Sequence, residues 1–171
     1  MEKILAEMRI LNESLSYGAR DRIADEILGC SGKIIGLGAG RMGYSLQAFI
    51  MRLSHLGYDA YMIGDTTTPR IGEGDLVIVN SSSGETKSII LLANLAVQHG
   101  ATILGITSGK QSSLAAMART CIFYDEIKSE QLMKTAYEQF SYLLLDSCAS
   151  ILATKGNLSV PEIEKNHSIL E

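Results

Sequence analysis

The sequence predicts an α/β fold, a three-layer α/β/α sandwich with a five-stranded parallel sheet. Strand-like and helix-like segments alternate from about residue 33 to residue 125, the order that builds parallel sheets from crossover connections. The strand candidates "KIIGLG", "DLVIVN" and "ATILGIT" are apolar almost without interruption, as suits strands covered by helices on both faces. At 171 residues, 46% hydrophobic and 20% charged with two prolines, the chain is long enough for one core and short for two. Residues 1–171 are therefore expected to form a single domain.

Each element has its own signal. Ile4, Leu5, Met8, Leu11 and Leu15 recur at helical spacing between charges, and a second helix runs to about Leu28. "KIIGLG" is the first strand and passes directly into the turn "GAGRMG"; "YSLQAFIMRLSHLG" then reads as a helix stopped by Gly57. "DAYMIG", "DLVIVN" and "ATILGIT" are the next strands, with the helix "KSIILLANLAVQHG" between the last two. "SSLAAMA" is a short helix and "TCIFYD" the fifth strand. The last long helix covers about Lys134 to Thr154. Its apolar residues Tyr137, Phe140, Leu143, Leu144, Leu145, Cys148, Ile151 and Leu152 form a stripe wider than one sheet contact needs, which predicts a subunit interface. Tyr137 and Met133 are read as core residues.

Composition narrows the partners. A net charge of -4 weighs against nucleic acid. The longest charge-free run, Ser88 to Gly109, contains Asn94, Gln98, His99 and Gly100 and changes period midway, so it is a helix followed by a strand and no membrane span. "MEKILAEMRI" interleaves charges with apolar residues and is no signal peptide, so the chain is expected in the cytoplasm. Cys30, Cys121 and Cys148 lack CxxC or Cys/His spacing, which predicts reduced core thiols and no metal site.

Open parallel sheets bind ligands beyond the carboxyl ends of their strands. The loop "GAGRMG", residues 38–43, fits GxGxxG. It suits a dinucleotide, with Asp65 as ribose partner, and equally a tight turn that packs a helix on its strand. The threonines and proline after Asp65 suit a polar ligand loop better than a ribose clamp. The loop "SSSGET", residues 81–86, carries more. Ser81, Ser82, Ser83, Gly84 and Thr86 fall where a strand hands over to a helix, and there unpaired amides and the helix dipole favour an anion. An ordinary N-cap needs one hydroxyl, not four. The expected device is a phosphate cradle without a lysine, in which Gly84 opens the way for close approach.

"SSSGET" resembles the SxSGxT signature of sugar isomerase (SIS) domains. "GAGRMGYSLQAFIMRLSHLGYDAYMIGDTTTP" is similar to the stretch of 6-phospho-3-hexuloisomerases in which a GxGRSG turn, an AMRLMHLG helix and a GETTTP loop follow one another. "EGDLVIVNSSSGETKS", "MKTAYEQF" and the terminal "NHSILE" continue the likeness over nearly the whole chain. The resemblance implies a five-stranded sheet of flavodoxin-like order. It also implies interconversion of 3-hexulose 6-phosphate and fructose 6-phosphate, as in the ribulose monophosphate pathway, without metal or cofactor. The expected assembly is a dimer or tetramer in which the N-terminal helix and the C-terminal helix and tail pack. Ser81, Ser83 and Thr86 would hold the phosphate, and Arg41, Thr66 and Thr67 would line the sugar. Gly40, Ser82 and Gly84 complete the binding set. Glu138 would be the catalytic base, with His167 assisting ring opening or proton handling in its own or a neighbouring subunit's site.

These residue types suit the reaction. Moving a carbonyl between neighbouring carbons removes a proton beside it, passes through an enediol and returns the proton next door. One carboxylate can serve both transfers, and a positioned base contributes on the order of 10²- to 10⁴-fold. Arg41 or His167 could donate to the developing enediolate oxygen. Read without the family, Glu138 also suits a helix first turn through the dipole, His167 reads as a solvated tail residue, and His55 reads as a helix terminus or a site-lining residue. The chain departs from the family at Met42 (serine there), Lys134 (glycine), Asp65 (glutamate) and Ser82 (glycine). Lys134 is expected to meet the substrate's phosphate or to alter the turn that positions Glu138. Two functions stand beside each other: an isomerase of this or another ketose or aldose phosphate, and a non-catalytic sugar-phosphate-binding regulator. The acid–base pair Glu138 and His167 favours the enzyme.

Overall fold

The computed structural model describes residues 1–169; Leu170 and Glu171, which end "NHSILE", lie outside the described residues. The chain runs α1 (Glu2–Glu13), α2 (Ala19–Leu28), β1 (Ile34–Gly38), α3 (Gly40–His55), β2 (Ala60–Met62) and β3 (Leu76–Asn80). It continues as α4 (Lys87–Gln98), β4 (Thr102–Thr107), α5 (Ser113–Met117), β5 (Thr120–Phe123), α6 (Thr135–Lys155) and α7 (Val160–Lys165). The five strands form one sheet in the order β2-β1-β3-β4-β5, every pairing parallel. That is the expected flavodoxin-like order, which reverses between β1 and β3.

The continuous apolar character of the strands is explained by their two covers. Ile34, Leu76, Ile78, Leu104 and Ile106 pack into the layer of α1, α2, α3 and α6. Ile35, Leu37, Val77, Val79 and Ile103 pack into the layer of α4 and α5. Each such side chain contributes about 1.5–3 kcal/mol by leaving water. The three thiols are free. Cys121 and Cys148 are buried and Cys30 is partly exposed; burial pushes Cys121 up to about 11 and Cys148 up to about 12, which keeps them protonated and unreactive.

The glycine-rich turn turns out to be a packing device. A Cβ on Gly43 would stand 2.6 Å from the Gly38 carbonyl oxygen, so the first turn of α3 rests directly on the end of β1. The helix begins at Gly40, earlier than its apolar pattern suggests, and Arg41 therefore sits on a helix and not in a loop. At the other end the Gly57 and Tyr58 amides donate to the Ser54 and Leu53 carbonyls, closing α3 as expected.

Three departures concern the C-terminal part. Tyr137 is buried as expected, but Met133 is 94% exposed and takes a positive φ of 53°, so it is no core residue. Part of the width of the α6 stripe is used inside the chain, because α6 packs on α1, α2 and α3. Leu143 and Tyr142 remain about half exposed. The helix α7 was not foreseen, although Ser159 and Glu162 are spaced as a capping box: the Glu162 carboxylate accepts from the Ser159 amide at 2.8 Å and from its hydroxyl at 2.6 Å.

At the amino edge of the sheet, the buried Asp75 carboxylate ties the start of β1 to the start of β3. It accepts from the Lys33 amide at 2.7 Å and the Gly72 amide at 2.8 Å, and pairs with the Lys33 ammonium at 3.1 Å. Burial, the largest single influence, raises its pKa, but the two amides and the ammonium together outweigh it and hold the carboxyl below the ordinary range. A depressed folded pKa contributes stability that is complete above the unfolded value, about 4, and disappears as pH falls through the folded value. Asp75→Asn replaces an acceptor by a donor opposite an amide and should cost about 1–3 kcal/mol at pH 7. In thermal melts from pH 7 to pH 2 the gap between parent and variant should close at the acid end. A gap independent of pH would show that the charge of Asp75 contributes nothing.

Candidate active site

The reversal of strand order places the loops after β1 and β3 side by side, and both predicted loops lie there. After Asn80 the serine loop is held rigidly from behind. The Ser82 carbonyl accepts from the Ser108 amide at 2.9 Å, the Ser108 hydroxyl at 2.8 Å and the Thr107 hydroxyl at 2.9 Å. The Ser81 amide donates to the Ile106 carbonyl at 3.1 Å. Ser81 and Thr86 face each other across the loop, hydroxyl oxygens 3.5 Å apart. Ser83 is exposed and its hydroxyl accepts from the Glu85 amide at 3.2 Å.

None of these hydroxyls caps α4, whose N-cap residue Thr86 makes no side-chain cap bond. The ordinary N-cap explanation of the serines therefore fails. The same chain does cap α5 in that way, with the Ser112 hydroxyl accepting from the Ala115 amide at 3.2 Å. Gly84 has a different reason from the one expected. Its φ is +67°, and a Cβ there would overlap the Ser112 hydroxyl, so the glycine serves packing against the next loop and not access for a ligand.

A cavity of about 210 Å³ opens in front of the loop, bounded by Asn80, Ser81, Ser82, Ser83, Thr86, Met42 and Lys134. The carboxamide of Asn80 at its floor is fully buried. Its nitrogen donates to the Met42 carbonyl, the Ser45 hydroxyl and the Ser141 hydroxyl, which joins β3, α3 and α6 in one polar cluster. Asn80, Ser45 and Ser141 were not among the residues singled out from sequence. The available signal was a polar residue closing an otherwise apolar strand.

Arg41 and Glu138, 97 positions apart, meet as an ion pair through Nε and Oε2. Each lies in the first turn of its helix, α3 and α6, so the contact follows from the packing of those two helices. The Glu138 side chain is 14% exposed and that of Arg41 66%. Lys134 lines the serine cavity one turn of α6 before Glu138, about 6 Å along the axis. Its φ of -105° is open to any residue, so lysine in place of glycine leaves the turn unstrained. Its ammonium pairs with Glu126 at 2.5 Å. A larger groove of about 580 Å³ adjoins the ion pair, lined by Leu5 and Met8 of α1, Tyr44 of α3, and Tyr142 and Leu143 of α6.

Not every candidate converges here. Thr66 and Thr67 are exposed in the loop after the edge strand β2. Thr67 and Asp65 line a separate cavity of about 470 Å³ on the outer side of α3, and Thr68 holds that loop by donating to the Met62 and Asp65 carbonyls at 2.6 and 2.8 Å. Gly40 sits at the start of α3 with φ +54°, next to Arg41. His167 is exposed and stacks on His55, ring centroids 4.8 Å apart. His55 ends α3, fourteen residues beyond Arg41, about 21 Å at 1.5 Å per residue. Within one chain, His167 and His55 are thus at the opposite end of the helix from Glu138. Among the described residues no three His, Cys, Asp or Glu side chains cluster to hold a metal, and no helix is long and apolar enough to cross a membrane.

The SIS domain model matches residues 27–145. The chain is 34% identical over 178 residues to a Bacillus subtilis protein named 3-hexulose-6-phosphate isomerase, covering 99% of this chain and 96% of that one. A Methanocaldococcus jannaschii protein of the same name is 34% identical over 148 residues, 86% of this chain and 81% of its own length. Among solved structures, a Methanococcus jannaschii hypothetical protein, for which a molecular function of 3-hexulose-6-phosphate isomerase was inferred, superposes with a TM-score of 0.88. It is 31% identical, with 99% of this chain and 98% of that chain covered. Both the matched motifs and the near full-length identity place the sequence in one family: the chain belongs to the 6-phospho-3-hexuloisomerases of the SIS domain family.

Proposed function

We propose that the chain is a sugar-phosphate isomerase that interconverts 3-hexulose 6-phosphate and fructose 6-phosphate through an enediol. One observation carries the reading: Met42 and Lys134, which bound the cavity in front of the uncapped serine loop, stand beside Arg41 on α3 and one helical turn before Glu138 on α6. A substrate with its phosphate at one end of a short carbon chain and its reacting carbons at the other matches that arrangement. The names of the relatives support the same chemistry.

In this reading the Ser81, Ser83 and Thr86 hydroxyls and the first-turn amides of α4 hold the phosphate, with Ser82 fixing the loop. Binding remote from the reacting carbons keeps the sugar in register. The substrate carbonyl replaces the Glu138 carboxylate at the Arg41 guanidinium, which frees the carboxylate as base. Glu138 takes the proton from C2, the electron pair forms the C2–C3 double bond, and Arg41 stabilises the charge developing on the C3 oxygen. The proton of the C2 hydroxyl passes to the C3 oxygen as the C2 carbonyl forms, and Glu138 returns its proton to C3. Residues 1–171 act as one SIS unit within a homo-oligomer, and the apolar groove of Leu5, Tyr142 and Leu143 beside the ion pair is the surface that packs. His167, distant from Glu138 in its own chain, serves in a neighbouring copy's site. Thr66 and Thr67 lie outside the phosphate site.

Purified protein mixed with 3-hexulose 6-phosphate should yield fructose 6-phosphate in a coupled dehydrogenase assay, and Glu138→Gln should lower kcat by about 10²- to 10⁴-fold. Failure of the parent to convert the substrate, with fructose 6-phosphate still raising Tm, would point to another ketose or aldose phosphate or to a non-catalytic binder. The oligomer is tested separately by light scattering: Leu143→Asp should reduce the apparent mass toward that of one 18.5 kDa chain. An unchanged multiple of that mass would place the interface elsewhere.

A further inference from the structure

We propose that Lys134 is a phosphate-binding residue whose ammonium leaves Glu126 and closes on the phosphate held by the serine loop. The inference rests on the reading of that loop as a phosphate cradle. Of the side chains bounding the 210 Å³ cavity, Lys134 alone is charged. The other cation at the site, Arg41, is engaged by Glu138. A loop that binds an anion with hydroxyls and amides only gains most from one mobile cation at its open side.

The resting position of Lys134 suits such a movement. Its side chain is 50% exposed and that of its partner Glu126 is 67% exposed, so the pair is a surface contact that water and salt weaken. The ammonium lies 5.1 Å from the centre of the buried Tyr137 ring, which keeps it at the mouth of the cavity. From there a flexible four-carbon stem can redirect a point charge. A phosphate dianion already held by Ser81, Ser83 and Thr86 offers more charge than one carboxylate and accepts a charge-assisted hydrogen bond.

The test is a calorimetric titration of the full chain with inorganic phosphate and, separately, with fructose 6-phosphate. Lys134→Gln should weaken both by about tenfold and flatten the dependence on salt. Glu126→Gln should bind at least as tightly as the parent, up to about threefold tighter, because the competing carboxylate is gone. Thermal melts confirm that both variants fold. Full affinity in folded Lys134→Gln, or weaker binding in Glu126→Gln, overturns the proposal and leaves the cradle intact. A parent chain that binds neither ligand overturns the phosphate cradle itself, and the role of Lys134 with it.

Discussion

The seating of α3 and α6 over the reversal of strand order is the constraint on which the rest of the site depends. Gly43 lies against Gly38, which brings the first turn of α3 down onto the end of β1. The buried Asn80 carboxamide then links the α3 backbone at Met42 to Ser45 and Ser141. Ser141 follows Glu138 by three positions on α6, so the cluster that joins the helices lies within one turn of the carboxylate. In a low-dielectric interior an unpaired polar group is costly. These residues therefore tolerate few alternative arrangements, and the Arg41–Glu138 contact inherits that definition.

Rigidity and charge are distributed differently around the site. The serine loop is built from backbone held behind by Thr107 and Ser108, with no side chain spent on capping α4. In the proposed reading its hold on an anion comes from fixed dipoles, which require no reorganisation when a ligand arrives. The charged side chains stand at the rim, where Arg41 and Lys134 are each more than half or half exposed. The Lys134–Glu126 pair is exposed on both sides and such pairs contribute about 0–1 kcal/mol, so Lys134 can exchange partners at little cost. A fixed cradle with exchangeable charges beside it suits a ligand that must be held at one end and changed at the other.

The likeness between sequence and structure varies with the physical range of each signal. Strands and helices were legible because burial on two faces writes an uninterrupted apolar run, and "DLVIVN" and "ATILGIT" became β3 and β4 within a residue. The helix α7 was also legible, through Ser159, Pro161 and Glu162, but it lacks the apolar periodicity that draws attention to longer helices. Met133 misled because an apolar residue beside an apolar helix resembles core; its left-handed backbone turns it outward instead. For Gly84 the residue was noticed and the cause was not, since its neighbour Ser112 is 28 positions away in sequence.

By itself the sequence determined the α/β class, the parallel sheet, the family motifs and the residue types able to bind an anion and move a proton. These are local properties: periodicity, turn chemistry and the donors within six consecutive residues. Only the tertiary structure decided which candidates meet. It joined Arg41 to Glu138 and set Lys134 at the mouth of the serine cavity, while leaving Thr66, Thr67 and His167 elsewhere in the chain. The reason is physical: those distances depend on how α3 and α6 cross above the sheet, and that crossing is set by glycine contacts and buried polar groups drawn from three separate segments.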